Sequence, residues 1–515
     1  MTNFRPRKLP PNITEDAFQR FATKVINICG SENVKIISAT LELIDGDYMQ
    51  SCKAHASAII SPRNVPEVQD TVRLCNKLCV PLWPFSAGRN IGYGGTAPRV
   101  SVSVRMDMGL HMNKVLNVSV EGSYTLVEPG VTYFELHDYL EEHKLRVPDV
   151  GGGSIIGNAV ERGVGYSKHQ DHGIMHCGLE VILPDGELLL AALQLWLWPY
   201  NDGIFTQSSL GIVVKMGIWL MPNPGGFQAY MITFPRDDDL PKITDTIRPL
   251  RLQMVLQNVL TLRHITLDAA VANNKASYTD RKEPWNGDEL YAIAQKLDLG
   301  YWNSFGAVYG PEPTRKVLLE FIKGVPLAIP GSEFWLPEDR TEPFSVLHTR
   351  AKVLQGIPTT NELSHLFFSP ISKITGKDAT AQYDLSKKRC FEAGFDFNGN
   401  FVVGMRAMHH SVWNVFNREG PEARKKARWL ILTLVDDCAA RGWAEYRTHI
   451  PLMDQIANTQ NFNDTAQMKL NEKIKNAVDP NGILAPGKNG IWPNKYKKKG
   501  WVLDAASNMN NEVSK

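Results

Sequence analysis

Long apolar runs are missing from this chain. Spanning a bilayer takes about 20 apolar residues, and the longest candidate, Leu188 to Trp198, is too short and leads into a turn. The first residues, Met1 to Pro11, carry charges and prolines without the apolar stretch of a signal peptide. The last four, Glu512 to Lys515, do not make a peroxisomal tripeptide. A charge excess is missing too. The 56 Lys and Arg stand against 54 Asp and Glu, a net +2, so neither nucleic acid nor a membrane surface is indicated as a partner. The basic run Lys495 to Lys499 reads as a solvated tail. Seven cysteines (29, 52, 75, 79, 177, 390 and 438) are scattered without a C-x-x-C. In a chain this long, that pattern predicts reduced thiols in an intracellular, cytoplasmic protein, with the peroxisome as the alternative location. There is no internal repeat. His169, His172 and His176 have ligand-like spacing, but no carboxylate or cysteine set completes a metal site, and none is expected.

The two common nucleotide signatures are also absent. Neither G-x-x-x-x-G-K-[ST] nor G-x-G-x-x-G occurs where the chain is richest in glycine. Instead an apolar stretch, Val80 to Phe85, runs into P-F-S-A-G-R-N-I-G-Y-G-G, Pro84 to Gly95. A second cluster follows at Gly151-Gly152-Gly153-Ser154, with Gly157, Gly163 and Gly165 behind it. Glycine leaves backbone N–H groups open to an anion. Two such loops suit an extended diphosphate, although either alone reads equally as an ordinary turn.

The rest of the chain is an ordinary globular sequence, 43% hydrophobic and 21% charged over 515 residues, enough for two or three domains. Helices are predicted over Asp16 to Cys29, stopped by Gly30; over Asn64 to Asn76, with Asn64 as cap and Pro66 in the first turn; and over Tyr133 to Glu142, Pro421 to Arg441 and Asn463 to Val478. Strands are predicted at Val34 to Ser38, Ala56 to Ile60, Pro81 to Phe85, Val100 to Arg105, Lys114 to Val120, Tyr124 to Val127 and Gly211 to Leu220. A hairpin is expected around Pro184-Asp185-Gly186. Many strands with few intervening helices indicate an α+β fold rather than an alternating one. Met221 to Gly226, M-P-N-P-G-G, is a strong break.

Taken together, Arg89 to Arg99, Pro148 to Tyr166, Gly211 to Gly226, His365 to Pro370, Gly404 to His410, Trp443 to His449 and D-P-N-G-I-L-A-P-G-K at Asp479 to Lys488 resemble the FAD-linked oxidases of the vanillyl-alcohol oxidase superfamily, in its 4-phenol-oxidising subgroup. The resemblance runs from about Phe4 to Trp501. It implies a two-segment, PCMH-type FAD-binding domain over 1–226 and 451–515, with an α+β cap domain holding the substrate over 227–450. It implies FAD, attached covalently through His365. Gly88, Arg89, Asn90, Gly92, Gly94, Gly95, Gly151, Gly152, Ser154, Asn158, Asp171, Arg350 and Lys488 fall on cofactor-binding positions.

The same resemblance places Tyr93, Tyr446 and Arg447 at the phenol oxygen. There an arginine, always charged, favours the phenolate. Asp149 matches the catalytic acid, able to take the alcohol proton or activate water, and Tyr166 lies nearby. The implied reaction is oxidation of vanillyl alcohol, other 4-hydroxybenzyl alcohols and 4-alkylphenols through a quinone methide. O₂ would be the acceptor and H₂O₂ the product, in a homodimer or higher homo-oligomer. Two alternatives are a p-cresol methylhydroxylase-type dehydrogenase that passes electrons to a cytochrome, and a catalytically impaired flavin-binding homologue. The chain is shorter than the family pattern before Ala56, before Val147, after Leu190 and before Ser364. In the first of these the family carries a histidine that promotes flavin attachment, and only His55 stands nearby.

Overall fold

The computed structural model describes residues 9–37, 56–90, 93, 95–141, 145–146, 152–168, 172–191, 201–339, 363–417 and 420–496. Gly92, Gly94, Asp149, Gly151, Asp171 and Arg350 lie outside the described residues, as do His55 and His169. Of His365 only the backbone is described. The chain forms two compact units: residues 1–164, 171–222 and 448–515 make the first, and 165–170 with 223–447 the second.

The first unit opens with the helix Glu15–Cys29. Thr14 caps it by accepting the Ala17 N–H, and Phe18, Phe21, Ala22, Val25 and Cys29 form its buried stripe. The helix Val65–Leu78 packs beside it, capped by Asn64 through the Glu67 N–H, with Pro66 in the first turn. Both lie over a four-stranded sheet ordered Val34–Ile36, Ala58–Ile60, Val104–Asp107, Leu82–Phe85. The last three strands are mutually parallel. The strand–helix–strand run from Ala58 to Phe85 is therefore a crossover unit, a local departure from the non-alternating pattern expected here. A second sheet of five strands is wholly antiparallel. It contains the expected hairpin, with Gly186 at φ +85° and Asp185 Oδ1 accepting the Glu187 N–H.

The C-terminal segment closes this unit. Leu82 donates to the Ile483 carbonyl and accepts from the Ala485 N–H, so residues 483–485 run alongside the Leu82–Phe85 strand. The Asp479 carboxylate shapes the turn by accepting the N–H groups of Ile483 and Leu484. Lys475, fully buried, donates to Asp479 and to the carbonyls of Ser209 and Leu484 at 2.7–2.8 Å, so all three ammonium protons have acceptors.

The second unit is a nine-stranded sheet. Its order is Glu333–Trp335, Phe227–Phe234, Trp302–Tyr309, Leu260–His264, Gly399–Val403, Met408–Asn417, Pro370–Ser372, Ala444–Glu445, and Leu363–Phe368 also pairs with Met408–Asn417. Helix Gly376–Glu392 packs against both Leu240–Leu252 and Pro421–Ala439, and it and Pro421–Ala439 lie on the strand Met408–Asn417.

Two boundaries differ from expectation. The strand predicted from Val100 begins only at Val104, because Val102 sits at φ +69° in a turn. The helix predicted from Asn463 is not right-handed in its first turn, where Asn463, Asp464 and Thr465 have positive φ.

Candidate active site

In the first unit the two glycine loops are stitched together. The strand Leu82–Phe85 is followed by Ser86, whose hydroxyl bonds that of Ser154. The exposed Arg89 donates to the Gly152 carbonyl at 3.1 Å. Thr132 and Ser154 form a bridge, and Ile155 donates to the Val131 carbonyl. Gly157 permits the approach, since a Cβ there would stand 2.5 Å from Ser86 Oγ and 2.6 Å from Ser154 Oγ. At Gly153, by contrast, a Cβ would meet no atom within 4 Å, so the backbone borders open space. Gly88 adopts φ +67°, a conformation glycine takes at little cost. The Asn90 carbonyl accepts the N–H of Tyr93, whose side chain is buried, and Gly95 stands two residues on. Arg105 anchors the end of the loop by donating to Thr96, with its guanidinium 4.8 Å from the Phe85 ring.

Asn158 extends its amide to the Tyr133 hydroxyl at 3.3 Å and to His172 Nδ1 at 2.7 Å. His172 therefore belongs to a buried polar cluster, and His176 faces Asp202 at 3.4 Å. Lys488 forms an ion pair with Glu161. The donor set brought together is backbone N–H, hydroxyl, amide and one exposed guanidinium beside open space. It fits an anionic diphosphate.

The second unit carries the other candidate residues. Helix Pro421–Ala439 ends with Gly442 at φ +77° and with Trp443 donating to the Cys438 carbonyl, a left-handed cap that turns the chain back. Ala444–Glu445 then pairs with Pro370–Ser372, and Tyr446 donates its N–H to the Ser369 carbonyl at 3.0 Å. The Arg447 guanidinium lies 5.3 Å from the Tyr446 ring centre, and His409 lies 4.7 Å from the same ring. Burial pulls His409 down to about 4, so it is neutral at pH 7. His365 is on the strand Leu363–Phe368, registered opposite Val415. Tyr166 is exposed.

Two residues here escaped sequence reasoning. His409 falls inside a resemblance segment but received no role. Glu445 precedes Tyr446 and accepts the Ser369 N–H at 2.9 Å, and burial holds its carboxyl well above the usual range. Nothing in the sequence distinguishes it from a surface glutamate, because its signal is enclosure.

Comparison with known proteins bears on both regions. Residues 56–192 match the FAD binding domain family, and residues 348–489 match the C-terminal domain of FAD linked oxidases. The 4-cresol dehydrogenase [hydroxylating] flavoprotein subunit of Pseudomonas putida is 32% identical, over 94% of this chain and 97% of its own length. The 1'-carboxy-chondrochloren decarboxylase of Chondromyces crocatus is 26% identical, over 85% and 91%. Among solved structures, 4-ethylphenol oxidase from Gulosibacter chungangensis, in complex with isoeugenol, superposes with a TM-score of 0.90 at 33% identity, covering 95% of this chain and 100% of that one. Substrate-bound p-cresol methylhydroxylase gives 0.86 at 29% identity, over 94% and 99%. The glycine loops lie within the segment that matches the FAD binding domain, and their donors suit the FAD diphosphate. The cofactor is FAD, and the chain belongs to the FAD-linked oxidases, with the PCMH-type α+β fold.

Proposed function

We propose that this flavoenzyme oxidises para-substituted phenols, 4-hydroxybenzyl alcohols and 4-alkylphenols, by removing a hydride from the benzylic carbon, with O₂ as the final acceptor. The observation that carries the reading is the full-length likeness to a 4-ethylphenol oxidase. The Tyr446–Arg447 corner adds chemical support. A guanidinium beside a tyrosine ring suits a phenolate, because a fixed cation lowers the phenol pKa. The first unit is the FAD-binding part and the second the substrate cap.

FAD supplies the hydride acceptor. Tyr93, Tyr446 and Arg447 hold the phenolate oxygen, whose electron pair moves into the ring as the hydride leaves and gives a quinone methide. With an alcohol substrate, Asp149 takes the hydroxyl proton and an aldehyde results. With an alkylphenol, it assists addition of water to the quinone methide, and an alcohol results. Tyr166 lies beside this proton route. Gly88, Arg89, Asn90, Gly92, Gly94, Gly95, Gly151, Gly152, Ser154, Asn158, Asp171, Arg350 and Lys488 serve the cofactor, and His365 attaches it. The resemblance of the sequence motifs to the vanillyl-alcohol oxidase superfamily makes vanillyl alcohol the first substrate to try.

The test is an absorbance spectrum before and after anaerobic vanillyl alcohol. Loss of the oxidised flavin band is expected. Asp149→Ala should slow that loss about 10²–10⁴-fold, the usual contribution of a general base. An unbleached flavin with vanillyl alcohol, 4-ethylphenol and 4-cresol alike would remove the phenol reading. A dehydrogenase that uses a protein acceptor is the second reading, favoured by the relative described as a flavoprotein subunit.

A further inference from the structure

Strand pairing at the Tyr446 corner is interrupted by a side chain. Ala444–Glu445 and Pro370–Ser372 are in antiparallel register, Pro370 opposite Glu445 and Ile371 opposite Ala444. The next pair in that register is Ser369 with Tyr446, and the first half of its ladder is present, with Tyr446 N–H donating to Ser369 O at 3.0 Å. A regular pair of this kind returns a second bond, from Ser369 N–H to the Tyr446 carbonyl. Here Ser369 N–H donates instead to Glu445 Oε1, at 2.9 Å.

The carboxyl thus stands in the ladder's place, and the strand stops at Glu445, one residue before the Tyr446–Arg447 pair. On its other side Ser369 adjoins the strand Leu363–Phe368 and Pro370, which has no N–H to give. The same grip therefore fixes the junction between two strands that both pair with Met408–Asn417. Ser369 is itself 2% exposed. Glu445 Oε2 has no contact with solvent and no hydrogen-bond partner among the described residues.

We propose that Glu445 is the positioning residue of the Tyr446–Arg447 pair: its carboxyl takes the Ser369 N–H, ends the strand, and sets the direction in which the two side chains leave the sheet. This rests on the phenol reading given above. Burial, opposed only by the Ser369 bond, holds the carboxyl well above the usual carboxylate range, toward its protonated form. The thiol of Cys438 faces it from helix Pro421–Ala439, itself pushed up by burial, with Arg441 beside that thiol. A protonated glutamic acid presents one carbonyl oxygen and one donor. Glutamine presents the same pair of functions in the same shape.

The probe is 4-hydroxybenzaldehyde, which has a phenol and no benzylic hydrogen of the kind that is removed. Its phenolate absorbance reports both affinity and ionisation in the FAD-loaded enzyme. Glu445→Gln should bind it as the unaltered enzyme does, with the same phenolate band. Glu445→Ala should retain FAD but bind roughly 10- to 100-fold more weakly, the scale of a displaced binding group, with the phenolate band diminished. The glutamine variant decides the matter even if the alanine variant does not fold, because Glu445→Gln losing the phenolate band overturns the proposal. Unchanged binding by a folded Glu445→Ala also overturns it, and leaves the phenol reading standing. If the unaltered holoenzyme binds no 4-hydroxybenzaldehyde, the phenol reading falls and the positioning role falls with it.

Discussion

His410 shows what burial does to a single residue in this protein. It is wholly enclosed, its ring is stacked on Phe401 at 4.2 Å, and neither nitrogen has a hydrogen-bond partner among the described residues. Burial drops it to about 3. The unfolded chain takes up a proton near 6.5, and the folded one does so only near 3. Between those values the unfolded state binds more protons, so this stability is fully present above about 6.5 and is lost as pH falls toward 3. His410→Phe keeps the aromatic contact and removes the titration. Thermal unfolding measured from pH 8 to pH 4.5 should show a shallower acid decline in the variant, and an unchanged slope would refute the assignment. Glu445 has the opposite sign. Its raised pKa means the folded state holds a proton that the unfolded state releases above about 4.3, so its contribution worsens as pH rises. None of this is visible from residue type alone, since His409, His410 and Glu445 look like any polar residues in a row. The glycine loop was legible because its composition is itself the signal.

At the scale of elements, local chemistry specified ends better than pairings. Asn64 and Pro66 marked the start of Val65–Leu78, Gly30 and Gly442 lie just beyond the ends of their helices, and Pro184-Asp185-Gly186 marked its hairpin. Each acts within a few residues, where sequence is enough. That the Ala58–Ile60 and Leu82–Phe85 strands both lie parallel to Val104–Asp107 depends on distant partners, and the alternation pattern alone does not report it. The same holds for the helix Phe462–Val478. Its sequence shows Lys475 and Asp479 at i and i+4, which reads as an ordinary surface pair. In the fold this pair is sealed beneath the strap that accompanies Leu82, with every ammonium proton matched to an oxygen. Burial lowers the Lys475 pKa, and Asp479 opposes that shift. Removing one member of such a pair leaves the other charge enclosed, which typically costs about 3–5 kcal/mol. Lys475→Met should therefore lower the melting temperature strongly, whereas exchange of an exposed pair such as Lys316–Glu312 should change it little. Equal effects would show that Lys475 is open to water in solution.

The whole molecule must take up two electrons from each substrate and pass them on, and the two readings differ only in where they go. The likeness to a 4-ethylphenol oxidase supports O₂ as acceptor, and the likeness to a dehydrogenase flavoprotein subunit supports a second protein. Net charge is no guide, because +2 over 515 residues gives no large field of one sign to steer a charged partner. The family motifs do not decide it either, since they specify cofactor and phenol rather than acceptor. Kinetics can decide. Enzyme reduced anaerobically with one equivalent of vanillyl alcohol and mixed with aerated buffer should regain its oxidised spectrum within seconds. It should release one H₂O₂ per substrate, with no protein partner added. If the flavin instead stays reduced in air and is reoxidised only when a one-electron acceptor such as ferricyanide or a cytochrome is supplied, the chain is a dehydrogenase. Acid precipitation of the same sample reads the remaining question. Yellow colour that stays with the pellet, and is released from His365→Ala, marks a covalent flavin. Colour released from the unaltered protein marks a flavin held by the loops alone, and withdraws the attachment role from His365.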